Sequence, residues 1–148
     1  MAESFPVSEF HFTSRTGTEI SNSDITKWQD IKDLTLVFGE TNGGTYLVTL
    51  TVPDTWNDQV SATGLSCGAR FRLILRQSGT EQELAQGAYT VAMAGQRVPF
   101  SLVCRAQLPV SRANPAIVAQ WQAVKGGTAW IGKNGLCALS AVGQAAAG

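Results

Sequence analysis

The chain has 148 residues, of which 44% are hydrophobic and 15% charged, and its eleven basic and eleven acidic side chains give no formal net charge. That length suits one domain, residues 1–148, able to bury a sizeable core without a metal or disulfide staple. The composition excludes a disordered chain, and the charge balance removes any global attraction to nucleic acid or an anionic membrane surface.

The first residues, Met1-Ala2-Glu3-Ser4-Phe5-Pro6, have neither a basic n-region nor a continuous apolar h-region. Cytoplasmic synthesis without a signal peptide is the expectation, with release by a non-classical route as its extension. No apolar run approaches the ~20 residues of a membrane span, so membrane insertion is not expected. Phe10-His11-Phe12-Thr13 reads as a short strand, and Asp24 to Asp33 as a helical turn with Ser23 as its cap. Leu34 to Phe38 is again a strand, and Asn42-Gly43-Gly44 predicts a hairpin-like turn.

Strict alternation then dominates. Tyr46, Val48, Leu50 and Val52 fall on one face of a strand with Thr45, Thr49 and Thr51 on the other. Ala69, Phe71, Leu73 and Leu75 alternate with Arg70, Arg72 and Arg76. Phe100, Leu102, Cys104, Ala106 and Leu108 alternate with Ser101, Arg105 and Gln107, and Ile117, Ala119, Trp121 and Ala123 with Gln120 and Gln122. Period 2 marks half-buried antiparallel sheet. Tyr89 to Met93, Ala129 to Ile131 and Leu136 to Val142 are shorter candidates.

Turn chemistry at Pro53-Asp54, Ser78-Gly79, Ala94-Gly95, Asn114-Pro115, Gly126-Gly127 and Asn134-Gly135 separates the runs. About nine or ten short antiparallel strands at this rhythm predict an all-β jelly-roll sandwich. Residues 143–148 read as a flexible tail or the stub of a linker. Cys67, Cys104 and Cys137 match no zinc pattern and are expected as small, reduced, buried or half-buried side chains.

Little in the sequence speaks for catalysis. Gly64-Leu65-Ser66-Cys67-Gly68 fits the G-x-S-x-G nucleophile elbow, but that motif needs a helix after the serine and a histidine later in the chain. A strand follows here, and the only histidine, His11, lies far upstream, where an edge or surface position suits it better than a metal or catalytic role. The carboxylates form no recognisable acid–base pair. Arg70, Arg72 and Arg76 either solvate an outer sheet face or offer donors to a hydroxylated or anionic ligand. Trp56 follows Val52-Pro53-Asp54-Thr55 just past a predicted strand, where an aromatic can stack on the apolar face of a sugar.

Several segments resemble a known family. Val98-Pro99-Phe100-Ser101-Leu102-Val103, Gln120-Trp121-Gln122-Ala123-Val124-Lys125-Gly126 and Leu139-Ser140-Ala141, with Leu50-Thr51-Val52-Pro53 and Gly87-Ala88-Tyr89-Thr90, are similar to tumour-necrosis-factor-like bacterial lectins, among them fucose-binding superlectin domains. The resemblance covers roughly Thr45 to Val142. It implies a jelly roll of the tumour-necrosis-factor-like type, a homotrimer, and sugar sites between subunits without a metal ion or other cofactor.

Carried over by position, Arg97 and Thr90 coincide with ligand-binding residues of that family, and Lys125 stands where a second arginine is found. Trp56 and Arg70 each replace a tyrosine, Val91 a third, and Ala94 and Gly95 take the places of hydroxyl side chains. The sequence-based expectation is therefore a non-catalytic, calcium-independent lectin for fucose or another cell-surface glycan, with Trp56, Arg70, Thr90, Arg97 and Lys125 at the sugar. Trp121 is expected either on the inner wall of the trimer or in the core. The alternative is a structural or protein-binding trimeric jelly roll of the fibre-head, capsid-like or receptor-ligand type.

Overall fold

Strands with one apolar face are stable only when two sheets close those faces on each other. The computed structural model describes residues 7–15, 17–39, 41–59 and 67–145, and these form strands, turns and bends. Ten strands follow in order: β1 (Val7–Arg15), β2 (Ile20–Asn22), β3 (Gln29–Val37), β4 (Thr41–Asn57), β5 (Gly68–Gln77), β6 (Thr80–Thr90), β7 (Val98–Ser111), β8 (Ala116–Val124), β9 (Ala129–Ile131) and β10 (Cys137–Ala145). One sheet runs β1-β10-β4-β9-β2, with β7 along the other edge of β4; the second runs β3-β8-β5-β6. All pairings are antiparallel. The all-β sandwich expected from the alternation is the fold observed.

The core lies between the sheets. Tyr46, Val48, Leu50 and Val52 of β4 meet Phe71, Leu73, Ile117, Ala119 and Trp121 of the second sheet, all of them buried. Phe71 is central, with ring centroids 4.7 Å from Phe100, 6.1 Å from Trp121 and 6.5 Å from Tyr89. Each such side chain contributes about 1.5–3 kcal/mol through burial. Trp121 thus belongs to the core and not to an inner wall between subunits. Its strand β8 is covered on both faces, because Arg70 and Arg72 bond to Gln122 and Gln120 on the outer side.

Four expectations about local structure change. Asp24 to Asp33 holds no helix: Oδ1 of Asp24 accepts the Thr26 and Lys27 amides, closing a turn, and Gln29 already belongs to β3. Such side-chain bonds compete with helix formation, and β3 is needed to carry Ile31 and Leu34 into the core. Asn42-Gly43-Gly44 is not a hairpin turn but the start of β4, paired with Val110 and Leu108 of β7. The Tyr89–Met93 strand ends at Thr90 and extends back to Thr80. Ser78-Gly79 does join β5 to β6 as expected, both residues adopting positive φ. Finally, Gly143, Gln144 and Ala145 are not tail: they pair with Tyr46, Thr45 and Gly44 of β4. Residues 146–148 lie outside the described set.

Candidate functional site

The site begins with a bulge. Val52 of β4 pairs with Phe100 and Thr55 with Val98, so β4 carries one more residue than β7 between the two pairs. An extra residue inverts the side-chain alternation beyond it. Tyr46, Val48, Leu50 and Val52 point into the core, and after the bulge Thr55 does so instead. Thr55 Oγ1 lies 2.7 Å from the Tyr89 hydroxyl and donates to the Trp130 carbonyl. Burial pushes the Tyr89 hydroxyl up to about 12, so it stays neutral. Trp56, which unbroken alternation would send inward, is turned to the outer side.

There Trp56 pairs across strands with Trp130, the planes 4° apart and the ring centroids 5.8 Å apart. The Arg97 guanidinium lies over the Trp56 ring at 3.9 Å from its centroid. Arg97 is anchored by Asp54, its Nη1 donating to Oδ2 at 2.7 Å, and a second carboxylate, Glu19, lies 3.8 Å from Nη2. Asp54 is buried, and the segment between β9 and β10 wraps it: the Gly132 amide donates to its carbonyl and the Asn134 amide to Oδ2. A Cβ at Gly132 would collide with that carboxylate, so the close approach requires glycine. The result is a stack of Trp130, Trp56 and Arg97 held from below by a buried carboxylate.

Trp56 is only 9% exposed, so its ring is not an open platform. Trp130 is the more accessible indole. It lines a cleft of about 390 Å³ with Gly17, Thr18, Glu19 and Lys133. Trp56 stands out in the sequence as an aromatic just past a strand, whereas Trp130, Asp54, Glu19 and Lys133 are not among the residues expected at the site. The one available signal was Trp130 itself, a tryptophan in a three-residue strand followed directly by Gly132.

The remaining expected residues sit at the same pole of the sandwich, on the outer face of the other sheet. Thr90, exposed at the end of β6, pairs with Gly68, and Val124 pairs with Gly68 from the opposite side. Lys125 follows it with φ of 64° and an exposed side chain. The two groups are joined by Asn57, next to Trp56, whose Nδ2 donates to the carbonyls of Gly68 and Gly126 and whose carbonyl accepts the Gly95 amide. Arg70 is already engaged, Nη1 donating to Gln122 Oε1 at 3.2 Å. Trp56 and Arg97 are therefore in contact, whereas Thr90, Lys125 and Arg70 form a neighbouring group.

Two other candidates came from the motif at Gly64 to Gly68 and from His11. Gly64, Leu65 and Ser66 lie outside the described residues, and Cys67 and Gly68 lead directly into β5, a strand where the nucleophile elbow needs a helix. His11, on the edge strand β1, bonds to Glu9 at 2.9 Å and packs its ring 4.4 Å from Phe38. Together with the Tyr46 hydroxyl it holds the Glu9 carboxyl below the usual range.

The outer face of the first sheet carries several exposed apolar side chains. Phe10, Val142 and Leu47 form one cross-strand row, and Phe12 and Val103 lie in the next. All five are exposed, Phe10 to 66%. At the open side of the sandwich, β6 and β7 have no further strand partner among the described residues, and Leu84, Phe100, Leu102 and Cys104 stay half-buried.

Comparison with known proteins gives one sequence match and several distant likenesses of fold. The model of the family described as Bc2l-C, N-terminal domain, matches residues 16–142. No curated protein matches. Among solved structures, Eiger TNF from S. frugiperda aligns at 11% identity with a TM-score of 0.49, covering 93% of this chain and 92% of that one. Murine APRIL aligns at 10% identity with a TM-score of 0.48, covering 91% and 99%.

Proposed function

The chain belongs to the Bc2l-C N-terminal domain family, and from that premise we propose that it is a non-catalytic glycan-binding protein, a lectin working as a homotrimer without calcium. The carrying observation is the stack at the pole: a half-buried Trp130 backed by Trp56, which itself carries Arg97, and a cleft of about 390 Å³ lined by Trp130, Thr18, Glu19 and Lys133. Sugars are recognised by this combination, an aromatic face against C–H groups with fixed donors for hydroxyls. Trp56 holds Arg97 and supports Trp130, while Thr90, Lys125 and Arg70 supply polar groups from the adjoining group. Fucose or a related cell-surface glycan is the ligand class.

The trimer reading is supported by two complementary surfaces. The apolar row of Phe10, Leu47 and Val142 is exposed, and the open β6–β7 edge leaves Phe100 and Leu102 half-buried. Placing the face of one protomer on the edge of the next is a head-to-tail contact, which closes as a ring of three when each step turns by a third of a circle. Trp56 and Trp130 point to the same outer side as that apolar face, so a neighbouring subunit would border the cleft. Three such sites facing one surface gain avidity, by a factor of about 10² or more.

A glycan array probed with the wild type and with Trp56→Ala and Trp130→Ala, each with and without EDTA, tests this. The expected result is binding that survives EDTA and is largely lost in both variants. A silent array from a folded trimer would favour the structural or protein-binding reading, which the same apolar face would serve.

A further inference from the structure

We propose that Arg15 and Lys133 form an anion-binding subsite that takes the carboxylate or sulfate of an acidic sugar whose ring lies along Trp130. It rests on the glycan-binding reading and narrows its ligand class.

Arg15 closes β1 and is only 7% exposed. Its Nη2 donates to the Thr18 carbonyl at 2.9 Å, which fixes the guanidinium, but its buried Nε has no hydrogen-bond partner. Among the described residues no carboxylate lies within ion-pair distance of it. Cys137, opposite Arg15 across the strand pair, supplies no counter-charge, since burial pushes its thiol up to about 11. A buried cation with an idle donor is costly unless an anion reaches it.

The space for that anion exists. Arg15 lines a cavity of about 140 Å³ with Gly17, Gly132, Lys133 and Gly135. Gly17 and Lys133 also line the Trp130 cleft, so cavity and cleft adjoin. Lys133 is exposed and has no carboxylate partner among the described residues, leaving its ammonium free to close over an incoming anion. The nearest acidic group on the cleft, Glu19, is turned to Arg97 at 3.8 Å. Guanidinium and ammonium together hold a carboxylate or sulfate through charge-assisted hydrogen bonds, while a neutral sugar would leave the Arg15 charge without a counter-ion.

Calorimetric titration with methyl β-glucuronide, methyl 6-O-sulfo-β-galactoside and methyl β-glucoside tests the assignment in the wild type, Lys133→Ala, Arg15→Met and Trp130→Ala. At least one anionic glycoside is expected to bind about tenfold or more tighter than the glucoside, the worth of one charge-assisted hydrogen bond. Lys133→Ala, on an exposed segment, should remove most of that advantage even if Arg15→Met fails to fold. Equal affinity for all three glycosides, still lost in Trp130→Ala, would overturn the anion subsite and leave the lectin reading intact. If no glycoside binds, sodium sulfate decides: a larger rise in Tm for the wild type than for Lys133→Ala keeps the anion subsite and rejects its sugar. An equal rise in the two would overturn both.

Discussion

The two outer faces of the sandwich are built from the same kind of alternating strand and have opposite chemistry. On the β3-β8-β5-β6 sheet the outward side chains bond to one another. Arg76 holds Asp30 at 2.9 Å and Glu81 at 2.7 Å, Arg72 donates to Gln120 at 2.8 Å and lies 4.5 Å from the Trp28 ring, and Gln120 donates to Asp30 at 2.7 Å. On the β1-β10-β4-β7 face the outward side chains include Phe10, Phe12, Leu47, Val103 and Val142, interspersed with Thr49, Ser140 and Arg105. A face that satisfies itself can stay in water; large apolar side chains exposed together on one face are the mark of an interaction surface. The difference separates a side that satisfies itself from the one on which the proposed trimer contact falls, and the aromatic stack stands at the end of the second.

The sharpest way to break this comparison is to charge the apolar face. Leu47→Arg is expected to turn the proposed trimer into a folded monomer, a threefold fall in mass by sedimentation with unchanged circular dichroism. An unchanged mass would detach that face from assembly. Trp121→Ala should act through the core instead, costing about 3–5 kcal/mol in urea unfolding of the monomeric Leu47→Arg background. Asp54→Ala removes the buried acceptor beneath Arg97 and the Asn134 amide, at about 1–3 kcal/mol, and should weaken glycan binding by releasing Arg97 from Trp56.

The smallest effect belongs to the polar face. Arg76→Met should cost less than about 1 kcal/mol, since its partners are exposed. Its pH dependence has a definite sign. The hydrogen bond from Arg76 holds the Asp30 carboxyl below its usual value. A lowered folded value means that the stabilisation is complete above the unfolded pKa of about 3.9 and is lost as pH falls through the folded value. The Tm difference between wild type and Arg76→Met should therefore shrink between pH 5 and about pH 2.

Much of the fold was legible because alternation is a direct image of a half-buried strand, as in β4, β5, β7 and β8. β6 was missed over most of its length because Thr80-Glu81-Gln82-Glu83 lies at an open edge, where neither face is buried and no period is enforced. The site was legible in part. Trp56 drew attention as an aromatic out of place, and Arg97 through a resemblance of sequence. Their contact depends on one extra residue at Pro53–Asp54, which reads locally as a turn and acts as a bulge inside a continuous strand. Arg15 could not be found from sequence, because its significance lies in a donor left without a partner, and partners are a property of the fold.

The measurement that tests the contrast between the faces most directly is sedimentation velocity of the wild type across the micromolar range. A single species with three times the chain mass of 15.7 kDa is the expected result. A stable monomer would contradict it, leaving the apolar face uncovered and the cleft beside Trp130 without a neighbouring subunit.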